Sequence, residues 1–291
     1  MVFQGSAPAL VTPFKDGKID FKSLEGLVDF QLQGKSDAIV VCGTTGEPST
    51  MTLQEEIQVA KAVLAQVDGR VPVIAGIGGN ATQEVLDATE LMSEAGVDAL
   101  LGVTPYYNKT TQGGLVAHYT TVAAATDLPV ILYNVPARTG LNMLPATVAE
   151  LAEVPNIVAV KEACGDIGQI MELFRLCKGK IQIFSGNDDH VFPFVAMGGD
   201  GVISVAANVV PREMHELVSL TQAGDLQGGI ELQLAMLPLI DLLFCEVSPI
   251  PVKAALAHMG MLDNEFRLPL VPMTSENEAK LVAEMERIGL A

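Results

Sequence analysis

The sequence predicts a closed (β/α)8 barrel, an α/β fold of the TIM-barrel type, followed by a small C-terminal helical extension. Eight short apolar runs recur between residues 7 and 205, and a longer segment separates each run from the next. Several runs are apolar without alternation, which is typical of strands buried on both faces of a parallel sheet. Strand signals stop at about residue 224. We therefore expect a barrel over residues 1–224 and a C-terminal helical domain over residues 225–291.

The predicted strands follow one another along the chain and cover residues 7–11, 38–42, 71–75, 99–103, 130–134, 157–161, 181–185 and 202–205. Between them, residues 53–67 and 83–95 repeat apolar side chains at the three- and four-residue intervals of a helix. Three further helices are expected over residues 226–244, 251–258 and 275–288, with Ser275 as the N-cap of the last. The competing architecture, an open doubly wound sheet, needs a glycine-rich phosphate loop after its first strand, where this chain has Thr12-Pro13-Phe14-Lys15.

Composition excludes several classes of partner. The formal charge of −18 would repel phosphate backbones and anionic membranes, so we expect neither a nucleic-acid nor a membrane partner. The four cysteines have no CxxC spacing, and the N-terminus lacks the pattern of a signal peptide. The most apolar stretch, residues 234–244, is interrupted by Pro238 and Asp241 and is too short to cross a bilayer. We expect a soluble cytoplasmic protein with reduced thiols.

Reactive side chains in such barrels lie at the carboxyl ends of the strands. Lys161 ends the sixth predicted strand, where partial desolvation favours a neutral amine that can attack a carbonyl. The alternative is an ordinary lysine that extends to solvent or pairs with Glu162. Tyr133 ends the fifth strand, where a phenol beside an amine can transfer protons. Its alternative is a core tyrosine with a satisfied hydroxyl.

Two loops have the composition of carboxylate-binding sites. Gly43-Thr44-Thr45-Gly46-Glu47 follows the second strand, and the N–H groups of such a tight turn can converge on an anion, although most such loops are only turns. Arg138 follows the fifth strand, and its guanidinium is suited to bidentate capture of a carboxylate or to pairing with a surface acid. The same strand-end rule adds Tyr106, Tyr107, Gly186 and Ile203 to the candidates.

A metal site is not predicted. Asp188-Asp189-His190 opens a helix after the seventh strand, where acidic residues are common, and the four histidines form no ligand motif. The glycines of residues 198–201 precede the eighth strand, whereas a barrel phosphate site draws on the loop that follows a strand. We therefore expect neither a metal nor a phosphate site.

Together these motifs resemble the dihydrodipicolinate synthase family, within the pyruvate-dependent class I aldolases related to N-acetylneuraminate lyase. The resemblance covers essentially the whole chain and rests on the motifs GTTGE (43–47), TPYYN (104–108), YNVP (133–136), KE (161–162) and PIPVK (249–253). The Arg-Thr-Gly that follows YNVP is typical of the synthases, because relatives that act on sugar acids generally lack that arginine.

The resemblance implies a chemistry for each candidate. Lys161 would form a Schiff base with pyruvate, whose enamine would attack aspartate 4-semialdehyde, and Arg138 would bind the carboxylate of that aldehyde. Thr44 and Thr45 would bind the pyruvate carboxylate in a pocket that Gly186 and Ile203 also line. A proton relay would consist of Tyr133, Thr44 and Tyr107, the last from a neighbouring subunit. Because the Schiff base is itself the electron sink, no cofactor is expected.

The resemblance also implies an assembly and a regulator. Members of the family are homotetramers, usually dimers of dimers, in bacterial lysine and diaminopimelate synthesis, and some are inhibited by lysine. A lysine site would consist of Ser49, Asn80, Glu84 and Tyr106. Glu56 and Leu53 occupy positions where inhibited members often have histidine, so lysine sensitivity stays open.

Two other functions are compatible with parts of the sequence. One is a class I aldolase for a sugar-derived 2-oxo acid, such as neuraminate or a 2-keto-3-deoxy acid. The other is a barrel that has lost catalysis and serves as a binding module, which would form no covalent adduct with pyruvate. Arg138 argues against the first alternative, and the intact set of Lys161, Tyr133 and Thr44 argues against the second.

Overall fold

The computed structural model describes residues 1–290 and confirms the predicted barrel. Its eight parallel strands are β1 (Gly5–Pro8), β2 (Ile39–Val41), β3 (Val73–Gly76), β4 (Ala99–Val103), β5 (Val130–Asn134), β6 (Ile157–Glu162), β7 (Gln182–Ser185) and β8 (Gly201–Ser204). Consecutive strands from β2 to β8 are paired, and β8 pairs with β1. A parallel bridge between Ala9 and Val40 joins the two remaining edges and closes the barrel.

The barrel interior is filled by small and branched side chains from alternating strand positions. Ala7, Val40, Ile74, Ala159 and Ile203 belong to one buried cluster at its centre. Such layers of apolar side chains make a packed core and not a pore. Polar side chains on the same inward-facing positions are therefore confined to the ends of the strands, where the core stops.

Helices cover the outside of the sheet. They are α1 (Phe21–Gln33), α2 (Leu53–Val67), α3 (Thr82–Ala95), α4 (Gln112–Ala124), α5 (Pro136–Thr139), α6 (Pro145–Leu151), α7 (Ile167–Cys177), α8 (Val191–Ala196) and α9 (Pro211–Gln222). The start of α2 is fixed by a capping box in which the hydroxyl of Thr52 accepts from the Glu55 N–H and the Glu55 carboxylate accepts from the Thr52 N–H. This defines where the loop after β2 ends.

The three predicted C-terminal helices are present as α10 (Leu226–Leu243), α11 (Ile250–His258) and α12 (Ser275–Arg287). The predicted N-cap is wrong by one residue. Thr274 is the cap position and Ser275 is already helical, because the Thr274 hydroxyl donates to Glu246 instead of accepting from the helix. The division at residues 224 and 225 stays a prediction, and residue 291 lies outside the described range.

A short hairpin not predicted from the sequence follows β1. Its strands, Phe14–Lys15 and Lys18–Ile19, are joined by a turn at Asp16 and Gly17, both with positive φ. The N–H groups of these two turn residues donate to the carboxylate of Glu265 in the C-terminal segment. Two residues per strand carry too little hydrophobic alternation to be recognised as strands.

Within residues 1–290, α10 alone is long and apolar enough, by length and composition, to cross a membrane. The helix begins at Leu226, before the apolar stretch noted in the sequence. The expectation that this stretch is too short to cross a bilayer therefore does not hold for the whole helix. Its buried side chains, including Met236, Leu239 and Leu243, belong to the main hydrophobic core. One face of the helix therefore packs against the core.

Candidate active site

Lys161 and Tyr133 lie side by side at the carboxyl ends of β6 and β5. The two residues are direct partners in the register of the sheet, and Nζ of Lys161 is 4.3 Å from the centroid of the Tyr133 ring. Both are buried, with exposures of 5% and 7%. A Cβ atom at Gly186 would lie 3.0 Å from Cε of Lys161, so the glycine leaves the space that the lysine side chain occupies. The two side chains that the sequence indicated at neighbouring strand ends are thus adjacent in the structure.

Glu162 does not neutralise Lys161. As the next residue of β6, it points to the opposite face of the sheet, where its carboxylate accepts from Nδ2 of Asn134 at 3.0 and 3.1 Å and from the Cys164 N–H at 2.8 Å. Burial raises the pKa of the Glu162 carboxyl. Among the described ion pairs, none joins Glu162 to Lys161. The ion-paired alternative for Lys161 is therefore wrong.

The GTTGE loop after β2 is a single 3-10 turn, Thr44–Gly46, held from two sides. The Gly46 N–H donates to the Gly43 carbonyl at 2.8 Å, and the Thr12 hydroxyl donates to the Gly46 carbonyl at 2.7 Å. Thr45 is buried and Thr44 is half-buried. The loop therefore presents Thr44 toward the open end of the barrel on a backbone fixed by β1 and its own turn.

A cavity of about 470 Å³ opens beside this loop. Thr44, Tyr133 and Arg138 line one end of it. Five other residues predicted for the catalytic and substrate-binding site lie outside its wall: Lys161, Thr45, Tyr107, Gly186 and Ile203. Lys161 contacts the ring of Tyr133, which lines the cavity. Ile203 belongs to the buried cluster that includes Tyr133.

Arg138 lies on the short helix α5 at the rim of the cavity. Its side chain is exposed, and Nη2 donates to the Ser248 carbonyl at 3.3 Å. In the described part of the chain it has no carboxylate partner. The surface ion-pair alternative is therefore wrong, and the guanidinium has donors left for an anion.

The two tyrosines after β4 lie in different environments. Tyr106 lines the cavity, whereas Tyr107 is 89% exposed and has a φ of 68°. Tyr107 is outside the cavity wall, and its ring is exposed to solvent in this chain.

The other end of the cavity is an acidic pocket, formed by Ser49, Leu53, Glu56, Glu84, Asp87 and Tyr106. It contains three of the four residues predicted to bind lysine. The fourth, Asn80, lies outside the wall, and its carbonyl accepts from Nδ2 of Asn108. Burial raises the pKa of Glu56 to about 7.

No group of three or more His, Cys, Asp or Glu suited to a metal ion lies within residues 1–290. Asp188 opens a short 3-10 helix, Asp188–His190, as expected from the sequence, and it also makes a contact that was not expected. Its Oδ2 accepts from the N–H groups of Val205 and Ala206, so it braces the turn after β8. Two loops that are adjacent in space but distant in sequence meet through this carboxylate.

Sequence reasoning missed the partner of Glu47, the last residue of GTTGE. Nζ of Lys253, on α11, lies 2.7 Å from Oε1 of Glu47, and both side chains are almost fully buried. Burial lowers the pKa of Lys253 and raises that of Glu47, while their mutual attraction opposes both shifts. A lysine inside the apolar run 250–257 was the available signal, because an isolated charge in such a run needs a buried partner.

Comparison with known proteins gives a consistent picture. The model of the dihydrodipicolinate synthetase family matches residues 2–288. A 4-hydroxy-tetrahydrodipicolinate synthase of Alkaliphilus oremlandii is 50% identical over 98% of this chain and 99% of its own. The enzyme of the same name from Caldicellulosiruptor saccharolyticus is 52% identical over 99% and 98%.

Solved structures agree. A monomeric variant of dihydrodipicolinate synthase has a TM-score of 0.98 at 43% identity, covering 100% of this chain and 98% of its own. A chloride-inhibited synthase from Acinetobacter baumannii, in complex with pyruvate, has a TM-score of 0.97 at 43% identity over 99% of both chains. A synthase from Cyanidioschyzon merolae with lysine bound has a TM-score of 0.97 at 39% identity over 100% and 99%.

Proposed function

The chain belongs to the dihydrodipicolinate synthetase family, and from this premise we propose that it condenses pyruvate with aspartate 4-semialdehyde to 4-hydroxy-tetrahydrodipicolinate, a step of lysine and diaminopimelate biosynthesis. Lys161 carries the reaction. The observation that supports this role most directly is a buried amine, without a carboxylate partner in the described chain, beside the Tyr133 phenol.

The reaction starts at the amine. Nζ of Lys161 adds to the carbonyl carbon of pyruvate, and loss of water gives the imine. Loss of a methyl proton then gives the enamine, because the iminium accepts the electron pair. Tyr133, together with Thr44 and the Tyr107 of a neighbouring subunit, transfers these protons. Thr44 and Thr45 bind the pyruvate carboxylate, and Gly186 and Ile203 shape the pocket.

The second substrate binds at the rim. The enamine carbon attacks the aldehyde carbon of aspartate 4-semialdehyde, and the amino group of the product then cyclises and releases Lys161. Arg138 binds the carboxylate of the aldehyde, since its guanidinium has free donors at the cavity. A sugar-derived 2-oxo acid would need hydroxyl-binding groups at this point instead of a cation, so the aldolase alternative is disfavoured.

Assembly completes the site. We infer a cytoplasmic homotetramer, a dimer of dimers, in which Tyr107 enters the neighbouring active site. The exposure of Tyr107 supports this, since a partner that covers the ring would remove it from water. A monomeric variant of a related synthase exists, so assembly has to be measured for this chain.

Lysine is the proposed effector and binds in the acidic pocket. Glu84, Ser49 and Tyr106 line this pocket, and Asn80 lies next to it. A related synthase is known with lysine bound. The carboxylate of Glu84, joined by that of Glu56 when Glu56 is ionised, gives the pocket the charge that an ammonium group requires.

The experiment is to incubate the protein with pyruvate and borohydride, measure the intact mass, and map the modified peptide. We expect one reduced adduct on Lys161, none in Lys161→Ala, and product formation only when aspartate 4-semialdehyde is added. An adduct that survives in Lys161→Ala would overturn the role of this lysine. Trapping without condensation would point to a different aldehyde acceptor, and a folded protein without trapping would indicate a barrel that has lost catalysis.

A further inference from the structure

The C-terminal segment contacts the loop after β2 through a fully buried ion pair. Nζ of Lys253 donates to Oε1 of Glu47 at 2.7 Å and to the carbonyl of Glu265 at 2.6 Å. The aromatic rings of Phe14 and Phe266 lie 4.6 and 4.5 Å from the same nitrogen. The ammonium is thus enclosed by one carboxylate, one carbonyl and two rings, and Glu47 supplies the only negative charge among these contacts.

Glu47 is also the point at which the backbone of the loop is strained. Its φ of 58° and ψ of 39° are left-handed, which L-residues other than glycine and asparagine rarely adopt. Its carbonyl accepts from both the N–H and the hydroxyl of Thr50, and its N–H donates to the Thr44 carbonyl. The left-handed residue that ends the turn Thr44–Gly46 is therefore the one that Lys253 holds.

A second contact secures the following residues. Arg267 donates to the Thr50 carbonyl at 2.9 Å and to both carboxylate oxygens of Glu55, the third residue of α2 and part of its capping box. The loop from Thr44 to the start of α2 is consequently anchored by the C-terminal segment at Glu47, at Thr50 and at Glu55.

Stability alone is a weak reason for this arrangement. Taking both charges out of water is costly, and replacing a buried ion pair by apolar side chains of similar size is often neutral or stabilising. Oε2 of Glu47 also has no hydrogen-bond partner in the described residues. An ion pair does, however, impose one geometry on the loop, which apolar packing would not.

We propose that Lys253 is a positioning residue for pyruvate: its ion pair with Glu47 fixes the turn that aims Thr44 and Thr45 at the substrate carboxylate. This inference rests on the proposed function of that loop. Lys253 does not touch the reacting atoms, and it acts through the backbone between Glu47 and Thr44. The C-terminal segment is then part of the substrate-binding apparatus, although none of its residues lines the cavity.

The test is the pyruvate concentration that gives half-maximal borohydride-trapped adduct. Lys253→Met should raise it about 10- to 100-fold, because a carboxylate-binding turn that moves by about 1 Å loses that order of affinity. At saturating pyruvate the adduct should still form on Lys161, and the KM for aspartate 4-semialdehyde should stay within about twofold, because Arg138 lies on another loop. The matched control is Lys15→Met, which removes the exposed pair of Lys15 with Asp263 in the same C-terminal segment.

The double variant Glu47→Gln with Lys253→Met covers the case in which the single variant does not fold. It leaves no unpaired buried charge, so its unfolding midpoint should return toward that of the wild type while the pyruvate requirement stays raised. A double variant, or a folded Lys253→Met protein, that traps pyruvate at the wild-type concentration overturns the positioning role. Absence of trapping in the wild type would instead refute the proposed function, and this inference with it.

Discussion

The two ends of the cavity differ in both construction and charge. At the catalytic end, Tyr133 lies on β5, Thr44 lies in the loop after β2, and Arg138 lies on the short helix α5 that follows β5. At the acidic pocket, the wall comes from helices α2 and α3 and carries the carboxylates of Glu56 and Glu84. Groups on a hydrogen-bonded sheet keep their spacing, whereas residues on a helix surface can change without disturbing the core. The proposed chemistry therefore depends mainly on residues at the strand ends, whereas the proposed lysine site depends on residues of α2 and α3.

The sharpest test of the strand-borne end is Tyr133→Phe, which removes one hydroxyl and leaves the packing of the ring unchanged. We expect the condensation rate to fall about 10³-fold, because positioned proton transfer contributes about 10²- to 10⁴-fold. Initial rates at saturating substrates are the measurement. Tyr119→Phe is the matched control, since this buried hydroxyl donates to the Gly102 carbonyl at 2.9 Å outside the cavity wall. A Tyr133→Phe protein as active as the control would remove the phenol from the proton relay.

Arg138→Ala tests the rim of the cavity, where the side chain of Arg138 is exposed. We expect kcat/KM for aspartate 4-semialdehyde to fall about 10²-fold, because a charge-assisted bidentate contact is lost. Pyruvate trapping on Lys161 should be unchanged. Arg175→Ala, which breaks an exposed pair with Glu172, is the control. Near-normal turnover of the aldehyde in Arg138→Ala would contradict the assignment of the second substrate.

How much of the site can be predicted from the sequence depends on which structural element carries each residue. The strand-borne groups were predicted with their neighbours, because barrel topology alone brings consecutive strand ends such as Tyr133 and Lys161 together. The predicted strands agree with the structure to within two residues at most ends, and those of β4 and β5 agree fully. The order of the strands along the chain is sufficient to place two residues together when they end consecutive strands, because consecutive strands are adjacent in the barrel.

Contacts between distant segments could not be predicted in this way. Lys253 and Glu47 are 206 residues apart, and Glu265 reaches the turn at Gly17 across 248 residues. Neither the spacing of residues nor the hydrophobic periodicity predicts which buried charged residues form a pair. Asp188 shows the same limit, because the N–H groups after β8 that donate to its carboxylate could be identified only once both loops were placed. Sequence reasoning therefore supplied the reactive groups and missed the contacts that hold them.

Glu84→Gln tests the helix-borne end. We expect the lysine concentration for half-maximal inhibition to rise about tenfold, because a neutral amide attracts an ammonium less than a carboxylate does. Activity without lysine should not change, since Glu84 is remote from the strand ends. The control is Glu90→Gln, exposed on the same helix. An unaltered response to lysine would exclude Glu84 from the effector site, and a wild-type protein that lysine does not inhibit would exclude the effector itself.

The smallest effect is expected at Glu56, and it concerns stability. Burial raises the pKa of this carboxyl from 4.5 to about 7 in the folded protein. Below pH 4.5 both the folded and the unfolded chain hold the proton. Between pH 4.5 and 7 only the folded chain holds it, so the contribution of Glu56 to stability falls as the pH rises and is lost above pH 7.

Glu56→Gln should abolish the loss of stability that Glu56 causes as the pH rises from 4.5 to 7. Because the carboxyl borders an open cavity, we expect the variant to gain about 1 kcal/mol over the wild type between pH 4.5 and pH 8, as measured by urea unfolding at both pH values. Glu25→Gln, on the exposed face of α1, should show no such gain. Equal pH dependence in Glu56→Gln and the wild type would mean that Glu56 is solvated like a surface acid. The acidic pocket would then be as open to water as the rim, and its charge would be fixed across the neutral range.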